Sequence, residues 1–291
     1  DGGQDNDLST AADNLTSSST FDITVSPEND APTQNTPADI TTSEDATTQS
    51  INITGITAGP NETQVLHVTA TSSDSTLIAN PTVNYTSGDT SSTLIFTPIA
   101  NQYGTTTVTV TVEDGGLDNN LATLADNLTT SSTFDIVVDP VNDAPGKAAN
   151  ANVTINEDAP STVAITGINA GPNETEIVRI TATSSDTTLV PDPSVNYTSG
   201  STNGAVVFTP LTDQYGTATV TVTIEDGGLD NNLATPADNL TNSSTFDVIV
   251  NPVNDVPAGD TIGNVTVDED AASQTINITG LTAGPNETQP L

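Results

Sequence analysis

"TVTVTVEDGG" (Thr107–Gly116) alternates a β-branched apolar residue with a threonine before ending in an acidic pair and two glycines. Strict alternation over this length is the period of a strand with one face buried. Val108, Val110 and Val112 fall on one face, Thr107, Thr109 and Thr111 on the other. Thr, Val and Ile dominate the rest of the chain as well, and their branched Cβ suits strands. No stretch keeps a helical period, so the expectation is an all-β protein.

Charge is lopsided: Asp and Glu total 38 against 2 Lys and Arg, a formal net charge of -36 over 291 residues. Such a chain is repelled by nucleic-acid phosphates and by anionic lipid, which excludes nucleic acid as a partner and argues against membrane insertion. Cations are the expected partners, with a merely solvated acidic surface as the plain alternative. There is no cysteine. Disulfides and thiol chemistry are therefore unavailable.

The sequence repeats itself. "DGG" starts at Asp1, Asp114 and Asp226, "GPNET" at Gly59, Gly171 and Gly284, and "NYTSG" at Asn84 and Asn196. The second copy is one residue shorter, between Asp158 and Gly167. Residues 33–145 and 146–257 then read as complete repeats. Residues 1–32 supply strand G of a preceding repeat and 258–291 strands A and B of a following one. This length suits an independent seven-stranded Greek-key sandwich rather than a solenoid unit. In the first repeat the strands are expected at 38–43 (A), 49–54 (B), 64–71 (C), 82–86 (D), 92–97 (E), 105–113 (F) and 132–138 (G). Inward positions are Ile51, Ile53, Leu66, Val68, Leu94, Phe96, Val108, Val110, Val112, Phe134, Ile136 and Val138.

The acids follow from strand direction. At about 3.3 Å per residue, the twelve residues from Pro32 to Glu44 span roughly 40 Å, the length of a sandwich. Strand A thus delivers Glu44–Asp45 to the far end, near the E–F turn with Asn101. Strand B returns "GPNE" to the start, and strand F returns Glu113–Asp114 there too. Strand G ends in the linker "DPVNDAP" (Asp139–Pro145). Each junction should then collect Glu44, Asp45 and Asn101 from one repeat, Asn142 and Asp143 from the linker, and Glu174, Glu225 and Asp226 from the next. The same positions elsewhere are Asn29, Asp30, Glu62, Glu157, Asp158, Asn254, Asp255, Glu269 and Glu287. Two carboxylates about 4 Å apart repel by roughly 4 kcal/mol at an effective dielectric of 20, so their convergence calls for a cation. With oxygen ligands only, calcium is expected before magnesium.

"VEDGG" followed by a strand into "VVDPVNDAP" resembles the tail of a cadherin repeat. The whole unit, as in "INEDAPSTVAITGINAGPNETEIVRITATSSDTTLVPDPSVNYTSG", is similar to the cadherin-like and Ig-like tandem repeats of large bacterial or archaeal surface and adhesin proteins. The resemblance implies calcium between domains. Its ligands would be Asn142 and Asp143 of the linker, Glu44 or Glu157 of strand A, Asp213 of the E–F turn, and Asp114 or Asp226 after strand F. The Asp-x-Asp of the cadherin B–C loop is replaced by "GPNE", and the E–F acid is Asp213 in one repeat but Asn101 in the other. Fewer ions per junction than in cadherins are therefore expected.

Other features read as structural. His67 aligns with Arg179, an exchange that a catalytic or metal role would not survive, so both are expected to face outward. Tyr103 and Tyr215 are expected to pack at the end of the sandwich beside strand F. Asn-x-Ser/Thr sequons at Asn14, Asn61, Asn84, Asn127, Asn173 and Asn196 follow from a composition rich in Asn and Thr. Three functions compete. The first is an extracellular structural array stiffened by calcium, part of an adhesin, matrix or filament, in contact with neighbouring repeats and with other copies of itself. The second is a glycan- or protein-binding module using repeated loop tips for avidity. The third, an enzyme, has only paired carboxylates to work with and is not expected.

Overall fold

A computed structural model describes residues 1–291. It is all-β, with fourteen strands and no helix. The first repeat holds β1 (Ile40–Ser43), β2 (Gln49–Thr54), β3 (Leu66–Ser72), β4 (Thr82–Asn84), β5 (Ser91–Phe96), β6 (Gly104–Asp114) and β7 (Thr129–Asp139). The second holds β8 (Val153–Asn156), β9 (Ser161–Thr166), β10 (Val178–Ser184), β11 (Ser194–Asn196), β12 (Asn203–Phe208), β13 (Gly216–Asp226) and β14 (Thr241–Asn251). All seven strands expected of the first repeat are present, each end within three residues of its sequence reading.

Each repeat forms two sheets, ordered β1-β7-β6-β3 and β2-β5-β4 in the first, and β8-β14-β13-β10 and β9-β12-β11 in the second. In strand letters this is A-G-F-C against B-E-D, a Greek-key sandwich. Strand A runs parallel to G, with Val153 opposite Val248 and Asn156 opposite Asn251. The other pairings are antiparallel, including Val178–Ser184 against Val220–Asp226.

The chain divides into two compact units. One comprises residues 1–40, 48–97 and 106–136; the other comprises 41–47, 98–105 and 137–291. The core of the second repeat is built from Ile165, Val206 and Phe208 on one sheet and Val220, Val222, Ile224, Phe246 and Val248 on the other. In the first repeat Ile53, Leu66, Val68, Leu94, Phe96, Val108, Val110, Val112, Phe134, Ile136 and Val138 are all buried. Ile51 is half-buried. Strand periodicity could not reveal Leu77 and Ile78, which are 5% and 0% exposed. They follow Asp74, whose Oδ1 accepts the Thr76 N–H (2.9 Å) and whose carbonyl accepts that of Ile78 (3.1 Å). The resulting single turn carries two apolar side chains into the core from a connecting segment.

One expectation changes. Tyr103 and Tyr215 do not pack inside; each is 51% exposed. The E–F turn projects beyond the last inward layer, and the first fully buried side chains of β6 and β13 are Thr106 and Ala218. Residues 1–32 and 258–291 contain no strand. Phe21, Ile23 and Val25 are 77–85% exposed.

Candidate metal centre

The acidic residue of "DGG" is the most buried carboxylate of its repeat. Asp226 ends β13 with 0% exposure. Its Oδ1 accepts the N–H groups of Gly228 (3.0 Å) and Leu240 (2.9 Å), closing the base of the F–G loop. It also accepts a third bond, from Nδ2 of the linker residue Asn142 at 3.1 Å. The same amide reaches the Asp238 carbonyl at 2.9 Å. Asp114 is built alike, with Gly116, Leu128 and Asn29 as donors at 3.0, 2.9 and 3.0 Å. In both, Oδ2 is buried without a hydrogen-bond partner.

The linker backbone is held by the "GPNE" glutamate. Glu174 Oε1 accepts the Asp143 N–H at 3.0 Å, as Glu62 does for Asp30 (3.1 Å) and Glu287 for Asp255 (2.9 Å). The loop glycine makes room: a Cβ on Gly171 would overlap Glu174 Oε2 and lie 2.9 Å from the Asp143 carbonyl. Strand-A glutamates serve the same linker. The Glu44 N–H donates to the Asp139 carbonyl (2.9 Å), and its Oε1 accepts the Val141 N–H (2.8 Å). Glu157 repeats this with Asn251 and Val253 at 3.0 and 2.6 Å. Glu44 and Glu157 are 3% and 5% exposed.

The following aspartates sit in left-handed turns, at φ 58° for Asp45 and 64° for Asp158. Asn101 and Asp213 do the same at 56° and 59°. Asn and Asp tolerate this backbone region better than other side chains, which limits the residue types there. Asp45 Oδ1 accepts the Asn101 N–H at 3.0 Å; Asp158 accepts that of Asp213 at 3.3 Å. Nδ2 of Asn173 then donates to the Asn101 carbonyl, and that of Asn286 to the Asp213 carbonyl, both at 2.6 Å. Carboxylate oxygens of Asp158, Asp213 and Asp255 all lie within 4.8 Å of one another.

Electrostatics reflect this crowding. Burial pushes the Glu174 carboxyl up to about 7, helped by the nearby charges of Glu176, Asp143 and Asp226. Burial also raises Glu44, with Asp143 and Asp45 adding to it. Asp143 is raised by burial and by Asp45. Asp255 is raised by desolvation and then by Asp213, Glu287 and Asp158. Beside Asp226 Oδ2, the linker group leaves Asn142 Oδ1, Asp143 Oδ2, Glu174 Oε2 and Glu176 Oε2 buried and unpartnered. These are oxygen atoms that meet no hydrogen-bond donor, and oxygen is the ligand type a hard cation takes.

Not every sequence candidate joins this group. Glu225 pairs with Arg179 and Glu113 with the Asn127 amide (3.2 Å), on the strand face opposite Asp226 and Asp114. His67 and Arg179 stand exposed across from those glutamates. Glu269 is exposed. Among the sequons, Asn84 and Asn196 lie exposed on the edge strands β4 and β11. Sequence reading missed Glu176, which stands where the other copies of "GPNET" continue with Gln64 and Gln289.

No family model and no curated protein matches the chain. Among solved structures, the chain is similar to the human desmocollin-1 ectodomain at 13% identity, covering 79% of this chain and 43% of that one, with a TM-score of 0.37. Cadherin domains 3–6 of protocadherin gamma B2 give 16% identity, coverages of 78% and 54% and a TM-score of 0.36. Titin domains Z1Z2 in complex with telethonin give 12% identity, coverages of 78% and 100% and a TM-score of 0.31.

Proposed function

We propose that residues 33–145 and 146–257 are successive spacer domains of an extracellular array, part of a cell-surface adhesin, matrix or filament, stiffened by calcium at its linkers. The carrying observation is the fully buried Asp226, whose Oδ2 is unpartnered among the unpartnered oxygens of Asn142, Asp143 and Glu174. A buried carboxylate that lacks a partner is costly, and several together more so. A divalent ion offsets that cost by neutralising them and by accepting six to eight oxygen ligands. Asp226, Asn142, Asp143 and Glu174 would hold it on the linker side. Asp158, Asp213 and Asp255 form a second acidic set one repeat further along the chain, at the next linker.

The role is mechanical rather than catalytic. The acids already serve as acceptors for linker N–H groups, so ion binding and linker geometry are coupled through the same side chains. With calcium, the linker is fixed; without it, like charges repel. The test is small-angle scattering and thermal melting of the chain in calcium and in chelator. A longer maximum dimension and a higher Tm with calcium are expected. Identical curves under both conditions sink the calcium reading.

A further inference from the structure

We propose that Asn84 and Asn196 are attachment sites for N-linked glycans, so that the outer face of the B-E-D sheet is the glycan-bearing face of each repeat. The proposal is independent of calcium.

The chain is rich in Asn-x-Ser/Thr sequons, and the motif alone does not rank them. The structure does, because transfer needs an Nδ2 that is free and within reach. In that step Nδ2 attacks C1 of the first sugar of a polyprenyl-diphosphate oligosaccharide. The N–C1 bond forms as the C1–O bond to phosphate breaks, the lipid diphosphate leaves, and Nδ2 gives one proton to a base of the transferase. Several sequons of the two repeats spend that nitrogen inside the fold. Asn127 Nδ2 donates to Glu113 Oε1 (3.2 Å) and Asn239 Nδ2 to Glu225 Oε1 (3.4 Å). Asn152 donates to Asp247 Oδ2 (3.3 Å), Asn173 to the Asn101 carbonyl (2.6 Å) and Asn242 to the Pro145 carbonyl (3.0 Å). A sugar on any of these displaces a bond that ties a loop, the linker or strand A in place.

Asn84 and Asn196 differ. Each is exposed between half-buried neighbours, Val83 and Tyr85 or Val195 and Tyr197, and so points away from the core. Neither side chain makes a hydrogen bond. Asn84 ends β4 and Asn196 ends β11, edge strands bonded on one side only. The sequon threonines Thr86 and Thr198 lie exposed beyond the strand, where their carbonyls accept the N–H groups of Asp89 (3.0 Å) and Ser201 (3.1 Å) to close a turn. The chain therefore leaves the sheet within the sequon, which suits entry into a transferase. Cross-strand neighbours leave room: Asn196 lies beside Ala205, and Ala205 beside Ala164. In the first repeat the row is Asn84, Thr93 and Asn52, and Asn52 opens an exposed sequon of its own on the same face. A glycan on this row also covers the unpaired edge of strand D, where a strand of another chain could otherwise add.

The test is to express the full chain as a secreted protein in a host that carries out N-glycosylation. The product is cleaved at acidic residues, since the chain has only 2 Lys and Arg. Peptide N-glycosidase in heavy-oxygen water then marks each former attachment site for mass spectrometry. Occupancy is expected at Asn84, Asn196 and Asn52, and not at Asn127, Asn152, Asn173, Asn239 or Asn242. N84Q combined with N196Q is expected to lose two glycans and to keep the wild-type circular dichroism spectrum. A bare Asn84 or Asn196 in the secreted chain overturns the proposal, as does equal occupancy at the bonded asparagines. Neither result bears on calcium at the linkers.

Discussion

Asn142 donates to Oδ1 of the buried Asp226 at 3.1 Å, tying the linker to the base of a loop 84 residues later in the chain. Replacing it with alanine removes this bond and the one to the Asp238 carbonyl. A loss of about 1–3 kcal/mol is expected, because a buried carboxylate loses a donor. N142D should cost more in chelator, since it sets a carboxylate against Asp226, and should recover in part with calcium. Denaturant titration with and without calcium checks both.

Glu174 gives a pH dependence. Its ordinary value is 4.5, and in the fold it is raised to about 7. Between these values the folded state binds more protons than the unfolded one, so stability falls as pH rises. Its contribution is complete below 4.5 and is lost as pH rises through about 7. Melting in chelator from pH 5 to 8 should therefore show a declining Tm, absent in E174Q. Calcium should flatten the decline, because it favours the ionised form.

The E–F turn offers a clean exchange. Asn101 and Asp213 share a left-handed backbone, so each accepts the other's side chain without strain. N101D should give Asp45 and Asp143 a third carboxylate and strengthen calcium binding at that linker by roughly tenfold, as ligand charge count does elsewhere. D213N should weaken the other linker by a similar factor. Calcium titrations followed at the amides of residues 143 and 255 distinguish the two.

Phe246 is 2% exposed, at the centre of the second sandwich. F246A should cost about 3–5 kcal/mol by opening a cavity in a core that has no tryptophan to fill it. Chemical denaturation, read by m-value and midpoint, tests this.

Much of the candidate site was legible in strand direction alone. Alternation gave the inward valines of "TVTVTVEDGG" and strand direction carried Glu113 and Asp114 to the same end; the structure puts Asp114 on the buried face and Glu113 on the other, beside Asn127. The regular spacing of Pro32, Glu44 and their copies brought Glu44 to the linker, where its Oε1 meets Val141. Glu225 shows the limit. It neighbours Asp226 in sequence, but a strand sends adjacent side chains to opposite faces, and it pairs with Arg179 instead.

The sequence by itself determined an all-β chain, its repeats, its seven strands per repeat and its oxygen-only ligand set, because period-two patterning and repeat spacing are local properties. Tertiary structure decided which atoms of those acids are already spent. Asp226 uses Oδ1 for three donors and keeps Oδ2 free; Glu176 Oε2 and Asn142 Oδ1, from segments 34 residues apart, are each buried without a donor. Such pairings depend on where side chains from distant segments meet and on which lone pairs remain, and no spacing along one strand records that.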